Sequence, residues 1–170
     1  DDKAALVELF QAAFGRLQAY GSLDEKTREQ AGTKAIEQSL TAGDGPFVGP
    51  ASFVALLEGK IVGAILVTLV PGGDDTDRDN LMWAEPPPED LWENRAGQPH
   101  LTWVLVQSMK QGRGVGTQLL QQSARVLKKR GYKTLWSTFL IGNESSALWH
   151  WRNGFVLAPS MFSRRKMRGK

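Results

Sequence analysis

The sequence contains no cysteine, and only two of its 170 residues are histidines. Disulfides, thiolate metal sites and a cysteine nucleophile are therefore excluded, and imidazole chemistry is restricted to His100 and His150. A zinc site would need carboxylates beside these histidines to complete its ligand set. The sequence shows no such cluster, so we expect no bound metal.

Long apolar runs are also missing, since no segment approaches the roughly 18 residues that a membrane-spanning helix requires. We therefore expect no membrane partner and a cytoplasmic location. The start, Asp1-Asp2-Lys3, resembles neither a signal peptide nor a translation start, so a trimmed or partial chain is expected. A length of 170 residues suits one domain, and we predict a single domain over residues 1–170.

Charge is nearly balanced overall, at a formal net charge of +3, but it is unevenly placed. Residues 71–99 hold eight acids and two arginines, and residues 164–170 hold five bases. The first segment is interpreted as an acidic insertion, which is either a solvated loop or a means of attracting a cationic acceptor. The second is interpreted as a solvated basic tail, and nucleic acid is not expected as a partner.

Hydrophobic periodicity predicts the order α-α-β-β-loop-β-α-β-α-β, which indicates an α/β (α+β) fold with a mixed sheet flanked by helices. The turn Glu58-Gly59 predicts a hairpin. The predicted helices cover residues 3–20, 24–41, 114–130 and 143–152. The predicted strands cover residues 52–57, 60–70, 101–106, 132–140 and 155–162.

A glycine-rich turn, QGRGVGT at residues 111–117, lies between a predicted buried strand and a predicted helix. Glycines there let backbone N–H groups turn inward, and the helix start adds unpaired N–H groups and a positive dipole end. Such a site fits a pyrophosphate without a metal, although a tight turn with no ligand is the alternative. A Walker loop is excluded because no lysine follows Gly116. A dinucleotide fold is disfavoured because the turn comes late in the chain.

Two motifs in this part of the chain match a known family. Residues 111–116, Q-x-x-G-x-G, resemble the Q/R-x-x-G-x-G/A signature of the GNAT superfamily of acyl-CoA-dependent N-acyltransferases. Residues 143–155, N-x(6)-H-x(3)-G-F, resemble that family's N-x(6)-Y-x(3)-G-F segment. The resemblance covers roughly residues 50–160. It implies a mixed, mostly antiparallel sheet in which a splayed strand pair binds acyl-CoA.

The resemblance also implies a binding site for acetyl-CoA as co-substrate. Pantetheine and an oxyanion would meet strand backbone, pyrophosphate would meet the glycine turn, and an asparagine would follow the next strand. That asparagine is equally well placed to cap a helix. The implied cofactor-binding residues are Val104, Leu105, Val106, Gln111, Gly112, Arg113, Gly114, Val115, Gly116, Thr117 and Asn143.

This sequence departs from the family pattern at two positions. His150 stands where many members have a tyrosine as general acid for the leaving thiolate, so it is predicted to serve as that acid or to pack against its tryptophan neighbours. Thr138 stands where some members have a glutamate base. The base is therefore unassigned, with an ordered water chain or an acid from residues 71–99 as the alternatives.

The predicted function is N-acetyl transfer from acetyl-CoA to a primary amine of a small molecule or peptide, by direct attack. The alternative is a non-catalytic acyl-CoA-binding or protein-interaction module, which the missing tyrosine and glutamate favour. The sequence leaves the acceptor open among peptides, polyamines, antibiotics and amino acids. A homodimer is among the assemblies that it allows.

Overall fold

The structure is a computed structural model that describes residues 2–15, 17–71, 90–139 and 142–157. Its helices are α1 (Asp2–Phe14), α2 (Gln18–Gly21), α3 (Glu25–Leu40), α4 (Leu91–Asn94), α5 (Val115–Arg130) and α6 (Glu144–Arg152). Its strands are β1 (Phe53–Leu57), β2 (Lys60–Pro71), β3 (Gly97–Val106) and β4 (Trp136–Ser137). None of the helices in these ranges is both long enough and apolar enough to cross a membrane.

The four strands form one sheet in the order β1-β2-β3-β4. The first two pairs are antiparallel and the pair of β3 with β4 is parallel. The β1–β2 hairpin turns at Glu58 and Gly59, whose φ angles of 51° and 75° both lie in the left-handed region. The predicted mixed, mostly antiparallel sheet and its hairpin are therefore confirmed.

A β-bulge in β3 separates the two ends of that strand. Leu66 pairs with Trp103 and Val67 pairs with Leu101, so Thr102 has no opposite residue in β2. Among the described residues, β4 pairs with β3 only at His100 and Leu101, just before the bulge. A bulge bends its strand and increases the local twist. Beyond the bulge, β3 runs on to Val106 while the pairing with β4 has ended, and this opening positions the candidate site.

Each face of the sheet buries its own hydrophobic cluster. On one face, residues of β2 and β3 pack against α5, with α6 beside it; the buried members are Val48, Ala51, Ile65, Val67, Leu69, Leu91, Leu101, Leu119, Leu120 and Leu127. On the other face, the sheet packs against α1 and α3; the buried members are Leu6, Leu9, Phe10, Ala35, Ile36, Ala64, Leu66 and Leu105. The alternation of side chains along β2 sends successive residues into the two clusters.

Several predicted boundaries are wrong. The helix predicted over 3–20 ends at Phe14, and a separate turn of helix, α2, follows after Gly15. Within the described residues 132–139, the strand predicted over 132–140 forms only at residues 136–137, and its pairing with β3 ends just before the bulge. Residues 155–157 are not in a strand, and the rest of the predicted last strand lies outside the described residues.

The predicted acidic insertion contributes structure at its far end. Residues 90–96 include α4, whose Leu91 is buried in the α5-side cluster. The ring of Trp92 stacks on Tyr132 at 5.6 Å and lies beneath the Arg130 guanidinium at 5.2 Å. β3 then begins at Gly97, four residues earlier than predicted. Residues 72–89 of the insertion and the basic tail at 164–170 lie outside the described residues.

Candidate active site

The glycine turn leads into α5 through backbone conformations that favour glycine. Gly112 and Gly114 have φ angles of 74° and 83°, and a side chain at either would meet open space. Gly114 occupies the N-cap position without a side-chain cap, and the first helical bond runs from the Gln118 N–H to the Gly114 carbonyl at 2.9 Å. The N–H groups of Val115, Gly116 and Thr117 precede that bond and have no acceptor within the helix. With the positive end of the helix dipole, they form an anion-binding geometry.

Gly116 lies close to both β3 and α6. A Cβ there would lie 3.3 Å from Trp149 Nε1, 3.4 Å from Val104 Cγ1 and 3.5 Å from Val106 Cγ2. The start of α5 therefore sits directly against both β3 and α6. The absence of a side chain at this position brings the glycine turn next to the end of β3.

The end of β3 presents backbone groups on the side away from β2. The Gln107 N–H donates to the Val62 carbonyl at 2.9 Å, so Gln107 faces β2. By the antiparallel alternation, Leu105 also faces β2, whereas Val104 and Val106 point their backbone groups the other way. The Gln111 side chain, in the glycine turn, donates to the Val106 carbonyl at 3.2 Å. Of the three predicted strand residues, Val104 and Val106 are thus the two that can offer backbone to a ligand.

Asn143 is the N-cap of α6. Its Oδ1 accepts from the Ser146 backbone N–H at 3.1 Å and from the Ser145 hydroxyl at 3.0 Å. The cap interpretation is therefore confirmed. The predicted contact of Asn143 with the cofactor stays a prediction.

His150 lies on α6 with only 8% of its surface exposed, and both ring nitrogens are engaged. Nδ1 lies 2.7 Å from the Ser146 carbonyl, which can only accept, so Nδ1 carries the proton. Nε2 lies 2.7 Å from the Ser137 hydroxyl and accepts from it when the ring is neutral. Burial lowers the pKa of His150, and the Ser146 carbonyl opposes this by favouring the charged ring. Any proton that leaves Nε2 must therefore pass through Ser137.

Aromatic rings surround His150. The ring of Phe139 stacks on it, and the rings of Trp149 and Phe155 meet it edge-on, each with centroids 5.0–5.2 Å away. Of the two tryptophan neighbours of His150, Trp149 packs against it, whereas Trp151 is 73% exposed. The dry surroundings of His150 come from these three rings.

The second histidine, His100, belongs to a chain of hydroxyl groups on the opposite face of the sheet. Thr68 Oγ1 donates to the Asp44 carbonyl at 3.0 Å, so Thr102 Oγ1 must donate in its 2.9 Å contact with Thr68. Thr102 then accepts from His100 Nδ1 at 3.3 Å, which leaves Nε2 unprotonated. Nε2 accepts from the Thr138 hydroxyl at 3.2 Å.

His100 is 8% exposed, and burial lowers its pKa to about 4. It is therefore neutral at physiological pH, in the tautomer that the hydroxyl chain requires. Sequence reasoning assigned no role to His100. The signal was the pair of polar residues at 100 and 102 beside an apolar strand. Within the described residues, no group of three or more His, Asp or Glu side chains is placed to hold a metal.

Residues 5–155 match the acetyltransferase (GNAT) family. The chain belongs to this family. The fold is similar to that of PH1933 from Pyrococcus horikoshii OT3, with a TM-score of 0.63 and 19% identity over 93% of this chain and 83% of that protein. It is also similar to the aminoglycoside 6'-N-acetyltransferase AAC(6')-IG from Acinetobacter haemolyticus, with a TM-score of 0.58 and 13% identity over 92% and 86% of the two chains. A third similar structure is the aminoglycoside N-acetyltransferase AAC(6')-Iy in complex with CoA, with a TM-score of 0.55 and 18% identity over 92% of this chain and 86% of that protein. No curated protein sequence matches the chain.

This GNAT protein is therefore an acyltransferase, and the predicted family and fold are confirmed. The structural neighbours are less than 25% identical to it and show a shared fold. The family signature falls on the glycine turn and on α6, which Gly116 and Trp149 bring into contact.

Proposed function

We propose that this acyltransferase moves an acetyl group from acetyl-CoA to a primary amine of a small molecule or peptide by direct attack on the thioester. The observation that carries the proposal is the uncapped start of α5 beside the edge of β3 that continues past the bulge. A diphosphate needs an anion site, and an extended amide-containing arm needs a free strand edge. This chain has both next to each other.

In this proposal the pyrophosphate binds the N–H groups of residues 112–117, with the exposed Arg113 adding a positive charge. The pantetheine arm pairs with the backbone of Val104 and Val106. One of their N–H groups faces the carbonyl oxygen of the thioester and stabilises the negative charge that develops there on attack. The residues therefore supply orientation and electrostatic stabilisation to a reaction between two bound substrates.

The leaving thiolate receives its proton from the charged form of His150 by way of Ser137: the Ser137 hydroxyl proton moves to sulfur, the Nε2 proton moves to Ser137, and the ring is left neutral. A thiol of this type has a reference pKa near 8.5, so protonation of the sulfur is favourable at neutral pH. Because both nitrogens of His150 are engaged, the Ser137 hydroxyl is the group that would meet the sulfur. This assignment keeps the predicted role of His150 but places one hydroxyl between it and the substrate.

The acceptor is proposed to be cationic. Residues 71–99 carry eight acids against two arginines, which would raise the local concentration of a positively charged amine. Aminoglycoside acetyltransferases are among the structural neighbours, so aminoglycosides are the antibiotics to test beside polyamines, peptides and amino acids. We further propose a single domain over residues 1–170 and a cytoplasmic location, and a homodimer is to be tested by sedimentation.

The first experiment tests cofactor binding by thermal unfolding. A ligand present at a hundred times its Kd adds about 2.7 kcal/mol, which for a chain of this size raises Tm by about 5–10 °C. We expect acetyl-CoA to produce such a rise and Gly114→Glu to abolish it, because a carboxylate would repel the diphosphate. Gly59→Glu is the matched control, since Gly59 has a similar φ of 75° and equally open surroundings, but lies in the β1–β2 turn.

The second experiment tests turnover. Release of free CoA thiol is followed with an aminoglycoside, a polyamine, a peptide and an amino acid as acceptors. We expect the highest kcat/KM with a polycationic acceptor, and added salt should raise the KM for that acceptor more than the KM for acetyl-CoA. Acetyl-CoA binding without thiol release for any amine would overturn the proposed function.

A further inference from the structure

Two consecutive residues of the β4 segment each connect to one of the two histidines. The Ser137 hydroxyl meets His150 Nε2 at 2.7 Å, and the Thr138 hydroxyl meets His100 Nε2 at 3.2 Å. Successive residues of an extended strand point to opposite faces of the sheet. On each face of the sheet, therefore, a hydroxyl group donates a hydrogen bond to the Nε2 atom of a buried, neutral histidine.

The two faces of the sheet differ in which substrate could bind there. Ser137 and His150 share the face that carries α5 and α6, where Gly116 contacts Trp149 and the diphosphate site begins. Thr138 and His100 lie on the face that carries α1 and α3, away from the start of α5. A thioester held from the α5 side would reach the opening between β3 and β4, and an amine would approach it from the other face.

We propose that Thr138 and His100 remove the proton from the attacking amine, with Thr138 touching the amine and His100 acting through Thr138. The inference rests on the proposed function and adds the missing base to it. Thr138 is exposed, whereas His100 is buried beneath it, so a substrate can reach the hydroxyl but not the imidazole. A threonine cannot serve as a base alone, but it can pass a proton to one.

The chemistry balances in a single transfer. The amine nitrogen forms a bond to the thioester carbon, and the C–S bond breaks with its electron pair on sulfur. The amine proton moves to Thr138 Oγ1 while the hydroxyl proton of Thr138 moves to His100 Nε2. The thiolate leaves as the anion, which needs no proton near or above the reference thiol pKa of about 8.5, and His100 later returns its proton to solvent through Thr138.

The hydroxyl chain behind His100 prepares it for this role. His100 Nδ1 donates to Thr102, Thr102 donates to Thr68, and Thr68 donates to the Asp44 carbonyl. Each donor is directed away from Nε2, which fixes the tautomer with its lone pair on Thr138. The carboxylate of Asp44, whose backbone carbonyl ends the hydroxyl chain, accepts from the Ser39 hydroxyl at 2.6 Å.

The test uses Thr138→Val, which removes the hydroxyl at nearly constant volume, and Thr138→Ser, which keeps it. With a peptide N-terminal amine as acceptor, whose pKa is about 8, kcat is measured between pH 8.5 and 9.5, where the amine is neutral. We expect kcat of the unchanged chain to be flat with pH. Thr138→Val should lower kcat by about 10²-fold and make it rise about tenfold per pH unit, because hydroxide replaces the missing base. Thr138→Ser should restore the rate and the flat profile.

Two further variants separate a proton path from simple packing. His100→Gln keeps a hydrogen-bonding partner for Thr138 but no base, so it should show the same rising profile. Thr134→Val is the matched control, because Thr134 is an exposed hydroxyl in the same segment that donates to Gln98 Oε1 at 3.1 Å. It should change neither kcat nor the profile, and acetyl-CoA should stabilise all four variants equally.

The outcomes distinguish the two proposals. If the unchanged chain binds acetyl-CoA but acetylates no amine, the proposed function and the proton path both fail. If the unchanged chain acetylates amines and Thr138→Val keeps its kcat and a flat profile, the proton path fails alone.

Discussion

Acid should destabilise the folded chain through His100. The ordinary pKa of histidine is 6.5, and burial lowers that of His100 to about 4. Between these values the unfolded chain binds a proton that the folded chain does not, so stability is fully present above pH 6.5 and falls as pH drops toward 4. At 1.36 kcal/mol per pH unit, the loss is about 3 kcal/mol over this window. That is a large fraction of the stability of a typical domain.

The measurement is urea unfolding of the unchanged chain and of His100→Gln at pH 7.5, 5.5 and 4.5. Carboxylates also titrate in this range, but they do so in both proteins and cancel in the difference. We expect His100→Gln to be the less stable protein at pH 7.5, because its amide fits the hydroxyl chain less well. The difference in unfolding free energy between the two proteins should shrink by about 2–3 kcal/mol on going to pH 4.5, since only the unchanged chain loses stability by the low pKa of His100.

A difference that stays constant with pH would refute the reasoning. It would mean that His100 takes up a proton equally well in the folded and unfolded chains, and so that it is not held neutral by burial. The directed hydroxyl chain from Thr138 to Asp44 would then lose its physical basis. An NMR titration of the two imidazole rings gives the same answer independently, with the His100 resonance unshifted down to about pH 5.

Substitutions at two other positions test the contacts of α6. Gly116→Val should cost about 1–3 kcal/mol and lower Tm, because its Cβ alone would lie 3.3 Å from Trp149 Nε1 and its two methyl groups would crowd the β3 valines; an unchanged Tm would contradict the packing described. His150→Ala should lower kcat with little change in acetyl-CoA binding, and His150→Tyr should keep more activity because the family has a tyrosine there. Full kcat in His150→Ala would reduce His150 to a packing residue.

The parts of the fold that follow from local chemistry could be predicted from sequence. The hairpin at Glu58-Gly59 needs two left-handed residues, and Asp24 caps α3 by accepting from the Thr27 N–H at 3.0 Å. The helix ending at Gly131 was also predicted, since that residue has a φ of 104° and closes the last turn. Each of these signals lies within a few residues of the structure that it determines.

Predictions that depend on partners distant in sequence were less accurate. Helical spacing puts Ala124 on the same face of α5 as Leu120 and Leu127, but Ala124 is exposed and Ser123 is buried instead. The pattern gives the period of a helix but not the direction in which the sheet lies. Likewise the length of β4 depends on where β3 bulges, and a bulge at Thr102 is not visible in the sequence of β4 itself.

In the candidate site, too, the features set by local sequence were predicted and the contacts between distant residues were not. The glycine turn was found because its spacing is a local requirement of the backbone, and the structure adds that Gly116 lies against Trp149 of α6. His100 was missed because its meaning depends on the register that sets it against Thr68 in β2 and near Thr138 after β4. No pattern within ten residues of His100 contains either partner. A buried histidine becomes informative only when the strands that surround it are in place.

Thr138 stands at the position where some family members have a glutamate base, and its contact with His100 offers another way to remove a proton. A carboxylate at residue 138 would act on an amine directly, whereas a threonine there needs an acceptor behind it. The bulge at Thr102 lies two residues after His100 and ends the pairing of β3 with β4, so the strand opening and the His100–Thr138 contact arise at the same level of the sheet. The bulge that would make room for a thioester therefore lies beside the contact of His100 with Thr138, the residue that would face the amine. In the proposed mechanism, a chain without an acid at residue 138 can still catalyse the transfer, because the neighbouring strand would provide the proton acceptor.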